Sequence, residues 1–344
     1  MAHIFLALLA AFTLSLNLVA FVAMWARMHQ LDIPNERSSH TVPTPRGGGI
    51  AIVMTSLLAC LVLWRSGHMA TGLAVALLLG GSIVAIIGHI DDRRNIPALP
   101  RFVAQIIAAL SALICIGGVG ALPVGACMWQ PGIAGWLIGL VGLVWMINLT
   151  NFMDGIDGLV ASHTIFVGVA GAALLWLCGA PGEAAFMLLL ASAAAGFLVF
   201  NWPPASIFMG DVSSGFLGLV IGIVAIETAG HVNMWAWGLL LTPLMADATV
   251  TRAVRIWRYG DWFGAHRSHV YQRLSRKFGA HAPVVHAYWL VSLAIFLPLA
   301  LLVTAAPAVG WIVMPLAWLI AFATAFAAGA GRDDEPAPAE PDAV

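Results

Sequence analysis

Long apolar runs broken by short polar islands make up most of this chain of 344 residues. A helix that crosses a bilayer needs roughly 20 predominantly apolar residues. Eleven runs approach or reach that length, over about residues 3–26, 48–64, 70–90, 102–120, 133–148, 164–180, 184–200, 212–228, 234–251, 284–305 and 308–328. The pattern predicts an all-α polytopic membrane protein of about eleven transmembrane helices. Only Pro181-Gly-Glu183 separates the sixth and seventh runs, so they predict a tight helical hairpin. The first run lacks a preceding basic segment and exceeds an ordinary signal-peptide core, so it reads as an uncleaved span. Residues 1–330 form one transmembrane domain in this reading. Residues 331–344 are rich in Pro, Ala and acidic side chains and read as a disordered acidic tail.

Composition agrees. The chain is 61% hydrophobic and only 9% charged, which excludes a soluble globular protein. A net charge of −1 and few basic residues exclude nucleic acid as a partner. The four cysteines lie scattered in apolar runs without metal-ligand spacing and read as small core residues. The basic residues set an orientation. Fourteen of the fifteen fall in the first, third and ninth loops, their flanks, or the tail; only Arg65 falls elsewhere. Positive charge stays in the cytoplasm. The N-terminus is therefore expected outside, and the odd loops and C-terminus in the cytoplasm.

Four polar islands end apolar runs in those odd loops. Asp91-Asp92 precede Arg93-Arg94. They read either as a solvated helix end or as a pair that binds Mg²⁺ or handles a proton on phosphate, since adjacent like charges favour a cation or a shared proton. Asn148, Asn151, Asp154 and Asp157 are interleaved with Gly155 and Gly158; a helix cap would explain one Asp but not this whole set. Asp211 follows Met209-Gly210 and opens the eighth run with two serines. A helix start offers N–H groups to an anion, and a carboxylate offers oxygen to Mg²⁺. His266, Arg267 and His269 form a basic loop suited to a pyrophosphate, with no cytoplasmic cysteine to complete a zinc site. The first loop adds Thr44-Pro-Arg46-Gly-Gly-Gly49, with Arg46 as a candidate substrate contact. Asp247 is expected to pair structurally with Arg252 or Arg255.

In this order the islands resemble the polyprenyl-phosphate N-acetylhexosamine-1-phosphate transferases, the family of MraY, WecA, TagO and WbpL. The likeness runs from Asp32 to about Lys277. The resemblance implies ten or eleven helices and transfer of a sugar-1-phosphate from a UDP-sugar to undecaprenyl phosphate, with release of UMP. It implies Mg²⁺, with Mn²⁺ as a substitute, on Asp211. It places Asp91 and Asp92 near the attacking lipid phosphate, Asn151, Asp154 and Asp157 at the nucleotide and diphosphate, and His269 on the diphosphate. Partners would be undecaprenyl phosphate, a UDP-N-acetylhexosamine, the bacterial inner membrane and a second copy in a homodimer. Relatives carry His-x-His-His where this chain has His269-Val-Tyr-Gln272. Only His269 carries over, and the pattern looks most like the WbpL-type branch that initiates O-antigen or related glycans. Tyr271 could pack on a sugar ring and Gln272 could read its N-acetyl group. A small UDP-sugar is thus expected over a muramyl-pentapeptide nucleotide. Ser213 stands where the family usually has glycine, adding a Cβ at a turn.

The rival class is a transporter. Transporters keep ionisable groups near the bilayer midplane in repeated halves with broken helices. Here the carboxylates gather at one interface and no halves repeat.

Overall fold

The structure, a computed structural model, describes residues 2–29, 31–32, 42–261, 264 and 266–332. Among them are thirteen α-helices and two small hairpins. In chain order these are α1 (Ala2–His29), β1 (Leu31–Asp32), β2 (Thr44–Pro45), α2 (Ile50–Arg65), α3 (Thr71–Arg94), α4 (Ala98–Ile116), β3 (Leu122–Val124), β4 (Cys127–Trp129), α5 (Gly132–Met153), α6 (Leu159–Leu177), α7 (Pro181–Asn201), α8 (Asp211–Glu227), α9 (Met234–Tyr259), α10 (Val270–Phe278), α11 (Ala282–Val291), α12 (Leu297–Ala305) and α13 (Gly310–Ala327). A π turn, Ser292–Phe296, joins α11 to α12. The chain is an all-α polytopic membrane protein.

Hydrocarbon offers backbone groups no partner, so apolar runs there close their own hydrogen bonds as helices. Nine helices among the described residues are long and apolar enough to cross a membrane. Helix α2, with 16 residues, and α9 fall outside that measure while still occupying predicted runs. The α6–α7 hairpin forms as expected.

Three boundaries differ from the sequence reading. Helix α6 starts at Leu159, five residues before the expected 164, because Gly158 turns at φ +75° and gives its N–H to Asn201 Oδ1. Helix α9 runs on to Tyr259 and ends on left-handed Gly260. Its last turns carry arginines, which ended the apolar run but not the helix. The tail begins later than 331: the Gly331 N–H donates to the Ser268 carbonyl, and the Arg332 carbonyl accepts from Arg273. The expected disorder of 333–344 lies outside the described residues.

The centre of the bundle is α8, with 94% of its spanning window buried. It packs against α3, α5 and α2. Glycines bring these backbones together. A Cβ on Gly88 of α3 would lie 2.2 Å from the Asp211 carbonyl oxygen, and one on Gly218 of α8 would lie 2.2 Å from that of Met146 on α5. The start of α8 is thereby pressed against the end of α3, and all four polar islands meet at one end of the bundle.

Candidate active site

The site is assembled around the first turn of α8. Gly210, at φ +81°, turns the chain into the helix, and a Cβ there would meet the Asp92 carboxylate at 2.6 Å. Asp92 Oδ1 accepts the Asp211 N–H at 2.9 Å and Oδ2 accepts the Val212 N–H at 3.1 Å. Asp92, whose side chain is 1% exposed, thus satisfies helix-start donors from outside α8. The two neighbouring carboxylates diverge. Asp91 accepts the Ile96 N–H at 2.7 Å and a bond from Arg101 Nη1. The expected joint grip of Asp91 and Asp92 on one cation or proton is corrected here: Asp92 is consumed as a cap, and Asp91 faces a cavity with Asp211.

Arg46 is delivered by the glycines after it. The N–H groups of Gly47 and Gly48 donate to the Phe208 carbonyl at 3.1 and 2.9 Å, and that of Gly49 donates to Met209 at 2.9 Å. The loop is zipped onto the segment before Asp211. Arg46 Nε then lies 3.0 Å from Asp92 Oδ1, and Nη2 donates to Asp211 Oδ1 at 2.9 Å. Burial alone would lower its pKa, but the Asp211 and Asp92 carboxylates more than offset this and raise it. Arg101 Nη1 reaches Asp211 Oδ2 at 3.5 Å. Three carboxylates and two guanidiniums therefore interlock. Ser213 is fully buried, inside the first turn of α8, and its Cβ occupies the space left by Gly49. The feared clash at the turn does not arise, since Gly210 is the residue with positive φ.

Two cavities open from this cluster. One, of about 230 Å³, is lined by Arg46, Asp91, Asn95, Ile96, Arg101 and Asp211. The other, of about 120 Å³, lies between α3, α4, α5 and α9 and adds Phe102, Gln105, Asn148, Asn151 and Arg252. Asn148 Nδ2 donates to Gln105 Oε1 at 2.7 Å, and Asn151 Nδ2 donates to Ser214 Oγ at 3.0 Å. Across the Arg46–Phe208 bridge lies a larger cleft of about 590 Å³, whose lining includes Thr44, Asp157, Phe208, Arg267, Arg276 and His281. Asp157 Oδ2 accepts the Ala205 N–H at 3.0 Å and lies 3.1 Å from His281 Nδ1. Asp154 ends α5. Burial, with Asp211, Asp92 and Asp157 nearby, holds it well above the usual carboxylate range against the pull of Arg46.

The basic loop is held by a residue that sequence reasoning set aside. Asp247 accepts the Val270 and Tyr271 N–H groups at 2.9 Å each, the Tyr288 hydroxyl at 2.8 Å and the Thr251 hydroxyl at 3.1 Å, and lies 3.3 Å from His269 Nδ1. The expected pairing with Arg252 or Arg255 is replaced by this set. Arg255 pairs with Asp261 at 2.8 Å, and Arg252 lies over the Phe152 ring, 3.5 Å from His266 Nε2. Burial, then the charges of His269, Arg255 and Arg252, push His266 down to about 4. Tyr271 and Gln272 require correction as sugar contacts. Tyr271 is 1% exposed and its hydroxyl donates to the Phe152 carbonyl. Gln272 is buried and its Oε1 accepts the His269 N–H at 3.3 Å. Both brace the loop from beneath.

Arg101, Gln105, Arg252 and His281 were missed. Arg101 and Gln105 carried a legible signal, polar residues four apart on one face of an apolar helix. Among the described residues no group of three or more His, Cys, Asp or Glu is placed to hold a metal ion.

The model of glycosyl transferase family 4 matches residues 74–229. A decaprenyl-phosphate N-acetylglucosaminephosphotransferase of Mycolicibacterium smegmatis is 32% identical over 241 residues, 63% of this chain; the chain spans 59% of that relative's length. The protein of that description from Mycobacterium tuberculosis (strain ATCC 25618 / H37Rv) is 31% identical over 298 residues, 76% of this chain and 72% of the relative. The chain belongs to glycosyl transferase family 4. The similarity extends to a relative named for a different sugar: a phospho-N-acetylmuramoyl-pentapeptide-transferase of Streptococcus thermophilus is 28% identical over 234 residues, 63% of this chain and 67% of the relative. The matched stretch of the family runs from α3 to just past α8 and so contains Asp91, Asp92, Asn148 to Asp157 and Asp211.

Proposed function

We propose that this family 4 protein transfers a sugar-1-phosphate from a UDP-N-acetylhexosamine to undecaprenyl phosphate and releases UMP. One observation carries the reading: the Asp91, Asp92, Asp211, Arg46 and Arg101 cluster stands between a roomy cleft and a cavity among helices. The 590 Å³ cleft, with Arg267 and Arg276 in its wall, suits a nucleotide diphosphate. The cavity beside Phe102, Ile147 and Phe152 suits a lipid phosphate with its tail toward the bilayer.

A lipid-phosphate oxygen attacks the β-phosphorus. The P–O bond to the α-phosphate breaks, and UMP carries away that oxygen. The attacking group is already an anion, its second pKa being about 6. Positioning and charge neutralisation then do most of the catalysis. Arg101 and Arg252 face the phosphates in this reading, while His269, 4% exposed and outside the lining of these cavities, is held on Asp247 beneath them. Asp154, held protonated more readily than a free carboxylate, adds little repulsion to three anionic groups.

The donors fit Mg²⁺. Asp91 and Asp211 both line the 230 Å³ cavity and offer only oxygen, and phosphates and water would complete the shell. When bound, the ion would neutralise phosphate charge beside Asp211. We further propose that the site faces the cytoplasm, which the clustering of fourteen basic residues on that face supports. A small N-acetylhexosamine is favoured by the length of the match to the Mycobacterium tuberculosis N-acetylglucosamine enzyme, 298 residues against 234 and 199 for the muramyl-pentapeptide enzymes of Streptococcus thermophilus and Moorella thermoacetica; percent identity reaches 32% for both kinds and does not separate them. Initiation of an O-antigen or related envelope glycan would use that product.

The test is UMP release by purified protein from a panel of UDP-GlcNAc, UDP-FucNAc, UDP-QuiNAc and UDP-MurNAc-pentapeptide. Release should require both undecaprenyl phosphate and Mg²⁺, with a small sugar preferred. Preference for the pentapeptide nucleotide would overturn the sugar assignment; no UMP from any of them would overturn the reaction and return the transporter.

A further inference from the structure

A second concavity lies away from both cavities of the site. Segments of α9 (from Thr242 to Asp247), α10 (Val270 and Leu274), the α11–α12 unit (from Ala287 to Leu299) and α13 (from Ala317 to Ala328) enclose a lateral groove of about 400 Å³. Its α13 wall is Ala317, Ile320, Ala321, Thr324 and Ala325, continued by Ala328 just past the helix; the four alanines share one face and keep the floor shallow. The opposite wall contains the π turn Ser292–Phe296, a local irregularity that recurs at functional sites. Ile295 and Ile320, 49% and 59% exposed, stand on the rims, so the groove faces lipid.

Its dimensions and polarity select an occupant. Eleven residue steps from Ala317 to Ala328 span roughly 16 Å at 1.5 Å per residue. That is about half of a hydrocarbon core roughly 30 Å thick, the depth of one leaflet. The single carboxylate in the wall, Asp247, is fully engaged by the donors described above and shows the groove no bare charge. One end, at Thr242, Leu299 and Ala317, is apolar. The other, at Leu274 and Ala328, carries no charge in its lining and is flanked by Arg273 and Arg332. The guanidinium of Arg273 packs against Gly329, within 3.1 Å of where its Cβ would stand, and donates to the Arg332 carbonyl at 3.2 Å. Arg332 starts from the same rim; its guanidinium lies over the Phe326 ring, 5.0 Å from the centroid, and its Nε is buried without a hydrogen-bond partner among the described residues.

We propose that this groove binds an anionic phospholipid of the leaflet on the active-site face, one acyl chain along α13 and the phosphate at Arg273 and Arg332. A polyprenyl chain runs well beyond one leaflet and fits this short groove poorly.

Native mass spectrometry and thermal melts of the full-length protein in detergent, titrated with dioleoyl phosphatidylglycerol, dioleoyl phosphatidylcholine or undecaprenyl phosphate, test this. Phosphatidylglycerol should bind at least fivefold more tightly than phosphatidylcholine and raise the melting temperature. Arg273→Gln should erase that preference, and Ala321→Phe should abolish binding of both phospholipids; Ala321→Leu is the milder filler should the larger one misfold. Equal binding of the two phospholipids to the wild type, or binding unaffected by the fillers, overturns the proposal. So does undecaprenyl phosphate as the lipid that the fillers displace, or a dimer that they dissociate.

Discussion

At the scale of single residues, Asp92 and Asp211 look alike in sequence and do different work. Asp92 is buried and caps α8; Asp211 faces the cavity with its side chain 20% exposed. Losing a helix cap costs about 0.5–2 kcal/mol. Asp92→Ala should therefore lose both transfer activity and stability, by about that amount in chemical denaturation. Asp211→Asn should abolish transfer with melting behaviour unchanged. Equal destabilisation by both would undo the distinction. His266 supplies a pH test. Its folded pKa of about 4 lies below the ordinary 6.5, so between those values the unfolded chain binds more protons and stability falls as pH falls. Thermal melts from pH 7 to 4 should decline more steeply for wild type than for His266→Asn. Parallel curves would mean that the histidine is not held neutral in the fold.

At the scale of elements, backbone proximity decides the site. A Cβ at Gly88 would strike the Asp211 carbonyl, so Gly88→Ala should push α3 from α8 and spread Asp92 from the donors it caps. Activity should drop at least tenfold, with a melting temperature several degrees lower; a fully active variant would show that the contact yields freely. The loop on α10 depends on Asp247 in the same way. Asp247→Ala strands two N–H groups and leaves His269 unheld, which should cost both turnover and stability, since unsatisfied buried donors cost about 1–3 kcal/mol each. Asp247→Asn, keeping one acceptor oxygen, should be milder on stability than on turnover. The apolar runs announced these helices because lipid leaves the backbone no other solution. Their meeting points were less legible. Asp247 looked like a partner for Arg252 and Arg255, five and eight residues on, because nearness along one helix is visible in sequence and its long-range partners Val270 and Tyr288 are not.

At the scale of the whole molecule, the gathering of Asp91, Asp92, the Asn148–Asp157 block and Asp211 was readable, because each island interrupts a run that must end at an interface. Tyr271 and Gln272 misled for a physical reason: polar side chains beside a basic loop look available until α10 forms and turns them inward, toward Phe152 and the His269 N–H. Arg101 had been counted only as charge, although its position one turn into α4 directs it at Asp211. The proposed sidedness has its own test at this scale. In a background without native cysteines, Lys277→Cys should resist impermeant labelling of intact cells and Ser66→Cys should react; the reverse pattern would invert the topology.

The reaction itself is tested most directly by following the β-phosphorus. Purified protein receives UDP-GlcNAc labelled with ³²P at the β-phosphate, undecaprenyl phosphate and Mg²⁺. Transfer of a sugar-1-phosphate predicts that the label moves into the lipid fraction while unlabelled UMP appears in equal amount, and that Asp211→Asn does neither. Label leaving as UDP while sugar reaches the lipid, or label remaining on intact UDP-GlcNAc, would contradict the account.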